Sequence, residues 1–356
     1  MLIKRERFFV KYNFKVKLLH MNNFVKPIYQ VGLMIFTMSL LLFLSYVRMN
    51  QFYIVDQSPG IQLLSDKEKG QMVGVDAGFY LRNFLEFNVT NNEFLIDAYV
   101  WFEYDKEKLK FEDIDDFSFG KASIESKSNP YVSDLKGKRR VGYDIKVKFP
   151  SNLSYKYFPI DSHRLYLTLN NFSLTSKKIS YNISEETFIV TDNIYTKGWK
   201  NIGSNVKSGF KTLYLDKSDA EKVVTFPRVL FIMDFLGLSF RTFLLIMLPL
   251  LVIFFISLFT LSLDPKQYYI AILSVAAATI TALISYRFVI ESMSPSVSYF
   301  MLSDHFFDLI LVLNFIIFLL GTVLLKRFIK YRGLIVVCFH CILIVVWIYL
   351  LFVWAY

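Results

Sequence analysis

The chain has 356 residues, is 54% hydrophobic and carries a formal net charge of +10. That apolar share is too high for an ordinary soluble domain, and the basic residues lie beside apolar segments rather than in a footprint that would track nucleic acid. The two cysteines, Cys338 and Cys341, both fall in an apolar segment, which excludes a disulfide framework in the polar part of the chain.

Residues 1–30 form a basic tail in which Lys4, Arg5, Arg7, Lys11, Lys15, Lys17 and Lys26 stand against one acid, Glu6. An apolar run follows, and 31–49 is expected to be a membrane anchor. The basic head is long and LSYVRMNQF offers no A-x-A-like cleavage site, so the expectation is an uncleaved signal anchor. The alternative is a start at Met21 with a cleaved signal.

Residues 50–237 form a polar domain. Alternation with period two marks half-buried strands. Val141, Tyr143, Ile145, Val147 and Phe149 share one face in RRVGYDIKVKF, as do Leu165, Leu167 and Leu169 in HRLYLTLNNF. FLIDAYVWFEYD and VVTFPRVLF are further strands. No long amphipathic helix interrupts them, and the breaks are rich in Gly, Asn, Asp and Ser, which predicts an antiparallel β-sandwich. The charged stretch 115–137 is expected to be loops.

Residues 238–356 hold four apolar spans: Leu238–Leu263, Pro265–Tyr299, Phe306–Leu325 and Gly333–Tyr356. Pro249 lies inside the first, where a membrane helix tolerates it if a neighbour satisfies the freed carbonyl. The second is unlike the others. Steps of fours and threes trace one stripe: Gln267, Ala271, Ser274, Ala278, Thr281, Ser285, Phe288 and Ser292. A face this small and polar suits either water or close helix packing, and spacing alone leaves both open. Basic residues concentrate in the tail and in the link 326–332 (Lys326, Arg327, Lys330, Arg332), while Lys266 stands alone between the first two spans. The positive-inside rule then puts tail and link in the cytoplasm and the sandwich outside.

Asp304, His305 and Asp308 stand where the third span enters the membrane, with Asp304 and Asp308 on one helix side. Together with Glu291 they are either a candidate proton sensor or ordinary interfacial polar groups. There is no P-loop, GxSxG or HExxH motif and only four histidines occur. No enzyme activity, metal site, cofactor or nucleic-acid partner is expected.

Several motifs in order resemble the pentameric ligand-gated ion channels, and in particular their bacterial branch without the cysteine pair. YFPID, with Phe158, Pro159 and Asp161, looks like the aromatic-Pro-x-Asp turn of the signature loop; Ser151 and Leu165 stand where animal members carry the two cysteines. Gly198-Trp199, Trp101 with Asp105 and Leu109 (two residues longer than usual), Pro249, and Glu291, Pro295 and Tyr299 follow the same pattern, which covers about residues 70–356. The anchor helix is not a usual part of it. The resemblance implies an extracellular antiparallel β-sandwich followed by a four-helix transmembrane bundle, as a homopentamer in a bacterial cytoplasmic membrane, with lipid, inorganic ions and a small-molecule ligand or protons as partners.

Carried over, the pore-lining residues are Ser274, Ala278, Thr281, Ser285, Phe288 and Glu291. Phe288 is then an outer constriction or a subunit-packing residue, and Glu291 a cation-concentrating ring or a solvated helix end. Phe172 and Tyr214 are candidates for an aromatic site that takes a cationic ligand, or else ordinary core or surface aromatics. Pro159, Asp161, Pro295, Asp304 and His305 are candidates for gating and coupling. Three departures stand out. Thr281 replaces the usual mid-pore leucine, Ile270 and Ala271 replace an inner-mouth acid, and Arg228 and Arg241 are both out of register for the arginine expected before the first span. The rival reading is a non-conducting membrane sensor or assembly protein that keeps the fold.

Overall fold

The structure, a computed structural model, describes residues 26–354 except 52–55, 64–71, 136, 174–178, 193, 195, 197, 217, 220, 238–239 and 325–330. Lys4, Arg5, Glu6, Arg7, Lys11, Lys15, Lys17 and Met21 of the tail lie outside the described residues. So do Leu238, Leu325, Lys326, Arg327, Lys330 and Tyr356. In chain order, helix α1 (Pro27–Met49) is followed by strands β1 (Gln62–Leu63), β2 (Val73–Asn88) and β3 (Glu93–Asp105), and a short helix α2 (Phe111–Asp115). Strands β4 (Phe117–Ser118), β5 (Ser123–Lys127), β6 (Tyr131–Leu135), β7 (Lys138–Phe149), β8 (Ser162–Asn171), β9 (Ile179–Asn182), β10 (Phe188–Val190), β11 (Trp199–Tyr214) and β12 (Val223–Gly237) come next. Helices α3 (Phe240–Phe259), α4 (Pro265–Met293), α5 (Leu302–Leu319) and α6 (Arg332–Phe352) close the chain. Two compact units result: Phe52–Ser154 with Ser162–Leu238, and Met1–Gln51 with Tyr155–Asp161 and Ser239–Tyr356. Tyr155–Asp161 thus goes with the helical unit.

The β unit has two sheets, ordered β1-β11-β12-β8-β4 and β10-β2-β3-β7-β5, with β6 on β7 and β9 on β2. Each stretch that alternates in sequence is a strand. In β3 the alternation is unbroken, burying Phe94, Ile96, Ala98, Val100, Phe102 and Tyr104 and leaving the residues between them partly exposed. The two inner faces meet through rings. Phe79 of β2 lies 4.5 Å from Phe231 of β12, and Phe87 lies 4.9 Å from Phe235, which makes a sandwich-like core.

Two expectations are corrected. The second sheet is mixed, because β9 and β10 both pair parallel to β2. The stretch 115–137 is not loops: it carries β4, β5 and β6. Its charges sit on an outer face while β5 and β6 add backbone pairs to β7, which a charge pattern does not report. The long strand β2 went unread because register shifts at Leu81/Asn83 and Phe84/Glu86 break its alternation.

Among the described residues, the helical unit has five helical stretches long and apolar enough to cross a membrane: Pro27–Met49, Phe240–Ser262, Pro265–Met293, Leu302–Thr322 and Arg332–Phe352. This is the make-up of a membrane protein. The first begins at Pro27, ahead of the apolar run itself. It is built into the bundle by a polar stripe. Gln30 Nε2 donates to the Leu258 carbonyl (2.9 Å), the Thr37 hydroxyl bonds His340 Nδ1 (2.8 Å), Trp347 Nε1 donates to Ser45 Oγ (3.1 Å), and Arg48 Nε donates to the Leu351 carbonyl (3.0 Å). Such bonds hold helices together where the hydrophobic effect gives no preference between lipid and protein. Cys338 and Cys341 on α6 are unbridged.

Pro249 behaves as its chemistry requires. It has no N–H to give the carbonyl of Leu245 one turn earlier, and the Tyr286 hydroxyl of α4 donates to that carbonyl instead. Tyr286→Phe is expected to leave it unpaired in an apolar setting. The expected cost is about 1–2 kcal/mol, read as a lower thermal midpoint of the protein in lipid nanodiscs; an unchanged midpoint counts against this pairing.

Candidate functional site

Helix α4 starts at Pro265, whose missing N–H costs nothing in a first turn, behind the cap Asp264, whose carboxylate accepts from Lys266 N (3.1 Å). It ends before Pro295, as a residue preceding proline disfavours the helical region. Its packing face is Ile272, Ala276, Thr279, Leu283 and Ile290, all buried at helical spacing. The polar stripe lies on the other side. Gln267, Ala271, Ser274, Ala278, Thr281, Ser285, Phe288 and Ser292 are all exposed, Phe288 by 70%. Packing within the chain therefore does not explain the stripe. The Thr281 hydroxyl donates back to the Ala277 carbonyl (3.2 Å), so it is satisfied within its own helix.

At the end of the stripe stands a group not singled out from the sequence. Arg287 Nε donates to Glu291 (3.0 Å), its Nη1 donates to Asp304 (2.6 Å), and its guanidinium lies over the Phe307 ring at 5.4 Å. Asp304 is buried and also accepts from Met301 N (2.7 Å), capping α5. The signal was the Arg287/Glu291 spacing of four. Of the proton-sensor candidates, Glu291 and Asp304 are thus joined through Arg287. Asp308 is exposed, and the His305 ring packs on Trp354 (4.4 Å) and Phe300 (5.9 Å). No group of metal-holding side chains occurs among the described residues. Arg287, Glu291, Pro295, Tyr299 and Asp304 line one cavity of about 460 Å³.

The connection Tyr155–Asp161 carries the cis peptide Phe158–Pro159. Pro159 is buried and Asp161 is half-buried. Tyr155 N donates to the Tyr299 hydroxyl (2.9 Å), while Leu302 N and Ser303 N donate to the carbonyls of Lys156 (2.9 Å) and Phe158 (3.0 Å). The connection thus satisfies N–H groups that the start of α5 leaves without helical partners. On its flanks the β unit supplies a second missed group, Asp56. One carboxylate oxygen accepts from Ser154 N and the other from Arg164 N, both at 2.6 Å. Nearby, Ser151 Oγ accepts from Tyr166 N (3.4 Å). Arg164 is itself held by Asp234 through two bonds of 2.5 and 2.6 Å, and this pairing raises its pKa above the ordinary arginine value.

The two aromatic candidates part company. Phe172 packs on Phe226 at 4.5 Å and lines a cavity of about 320 Å³ in the β unit. Tyr214 is 66% exposed and does not line it; Arg228 does. A scan against protein-family models finds no match to this chain, and no curated protein matches it.

Proposed function

We propose that the protein is a ligand-gated ion channel, a homopentamer of the bacterial cytoplasmic membrane with its β unit outside and α4 of each subunit lining the pore. One observation carries this reading: α4 turns a continuous small-polar face away from the packing of its own chain. In lipid such a face forgoes both tail contacts and hydrogen bonds. Around a five-fold axis the same face lines a water path, with Phe288 as a ring that narrows the outer mouth and gates by dewetting. Glu291 adds negative charge there, which favours cations.

The test is current through purified protein in liposomes, swept from neutral to acidic pH, combined with single cysteines at Ser274, Ala278, Thr281 and Ser285. Expected is a current whose reversal potential follows the cation gradient, and which a charged thiol reagent blocks at these positions but not at Ile272 or Leu283. Phe288→Ala is expected to raise resting current several-fold. Silence of wild type and Phe288→Ala under every condition, with no labelling of the stripe from water, defeats the reading in favour of a non-conducting protein. A His305→Phe variant with the pH response of wild type removes His305 from gating.

A further inference from the structure

The cavity that Phe172 lines has the wrong sign for a cationic ligand. Its volume is about 320 Å³, at the lower end for small-molecule sites. Arg228 of β12, Lys121 and Asn170 of β8 line it, and none of its described lining residues is Asp or Glu. The Arg228 side chain is half-buried. Its Nε donates to Asn170 Oδ1 (2.8 Å) and its Nη1 to the Gly60 carbonyl (2.9 Å), both neutral acceptors. Among the described residues no carboxylate pairs with it, and burial lowers its pKa from the ordinary arginine value without an opposing charge to restore it. A guanidinium nevertheless stays protonated in proteins, so this is a partly desolvated cation without a counter-charge among the described residues.

Asn170 supplies a second, independent sign. Its residue is 1% exposed. A guanidinium only donates, so the atom facing Arg228 is the amide oxygen, and Nδ2 is turned elsewhere. That Nδ2 is buried and has no hydrogen-bond partner among the described residues. A buried donor left unmade is costly and rare. The register Arg228↔Asn170 between β12 and β8 sets the two residues opposite each other, and Nδ2 lies 3.7 Å from where a Cβ on Gly120, another residue of the cavity wall, would sit. Phe172 and Phe226 add apolar wall beside them.

We propose that this cavity binds a small organic carboxylate, its anionic end taken by Arg228 and Asn170 and its apolar body laid against Phe172 and Phe226. The inference deepens the ligand-gating reading and rests on it only for the consequence that occupancy changes current; binding does not require conduction.

Titration calorimetry on the full-length protein in detergent tests it with four probes: benzoate, benzamide, benzylammonium and inorganic phosphate. Benzoate is expected to bind, benzamide at least about tenfold more weakly, and benzylammonium not at all. Arg228→Gln is expected to weaken benzoate at least about tenfold. Because Arg228 also ties β12 to Gly60, a second variant guards against misfolding. Phe172 is 52% exposed, so Phe172→Ala is expected to keep the thermal midpoint and still weaken benzoate several-fold. Equal binding of benzoate and benzamide, binding of benzylammonium, phosphate binding as tightly as benzoate, or no benzoate binding at all overturns the proposal. Benzoate binding by a protein that never conducts defeats the channel reading and leaves this site standing; current without benzoate binding does the reverse.

Discussion

Replacing Asp56 by alanine is expected to destabilise the protein by about 3 kcal/mol, because one carboxylate holds both flanks of the Tyr155–Asp161 connection. Its side chain is fully buried and accepts from Ser154 N and Arg164 N at 2.6 Å each. A hydrogen bond to a charged group contributes about 1.5–3 kcal/mol, and alanine leaves both N–H groups without this acceptor. For a unit of this size the thermal midpoint is expected to fall by about 6–12 °C. Asp56→Asn keeps the shape and one acceptor oxygen, so about half of that loss is expected. The flanks of the connection are tied by hydrogen bonds that Asp56 accepts from Ser154 N and Arg164 N, and Ser151 Oγ from Tyr166 N. A midpoint for Asp56→Ala within about 2 °C of wild type would mean that the strands β7 and β8 hold the connection without Asp56.

Local regularities were legible in the sequence and long-range pairings were not. The alternation in FLIDAYVWFEYD reports burial residue by residue, because a strand between two layers puts every second side chain inside. The stripe on α4 falls on one side because helical spacing alone fixes which residues share a face. Pro249 announced a freed carbonyl, though not that Tyr286 would take it. Asp56 offered no such sign, since its partners lie about a hundred residues away and are backbone N–H groups. Arg228 is out of register for the arginine expected before the first membrane span, and its strand register makes it the partner of Asn170. Arg287 lies within an apolar span, and its partner Asp304 is on the next helix, a pairing that spacing along one helix does not reveal.

Arg287→Met is expected to destabilise the helical unit by about 2–3 kcal/mol. Among the described residues Arg287 is the one cation that joins the carboxylates Glu291 and Asp304, and the Asp304 side chain is only 7% exposed. Removing one partner of a buried ion pair costs about 3–5 kcal/mol; Arg287 is itself 30% exposed and so partly screened, which brings the expectation down to about 2–3 kcal/mol. Asp304 keeps its bond from Met301 N, so α5 retains its cap while its carboxylate faces Glu291 without a mediator. The double change Arg287→Met with Asp304→Asn is therefore expected to recover most of the loss, because the uncompensated buried charge, more than the missing contact, is what destabilises. If the double variant is no better than Arg287→Met, the damage comes from lost packing on Phe307. The same change carries a separate signature on the channel reading. Arg287, Glu291 and Asp304 together leave one net negative charge per subunit at the end of the stripe, and removing the arginine leaves two. Cation over anion permeability is then expected to rise in Arg287→Met, a shift in reversal potential that instability alone does not produce.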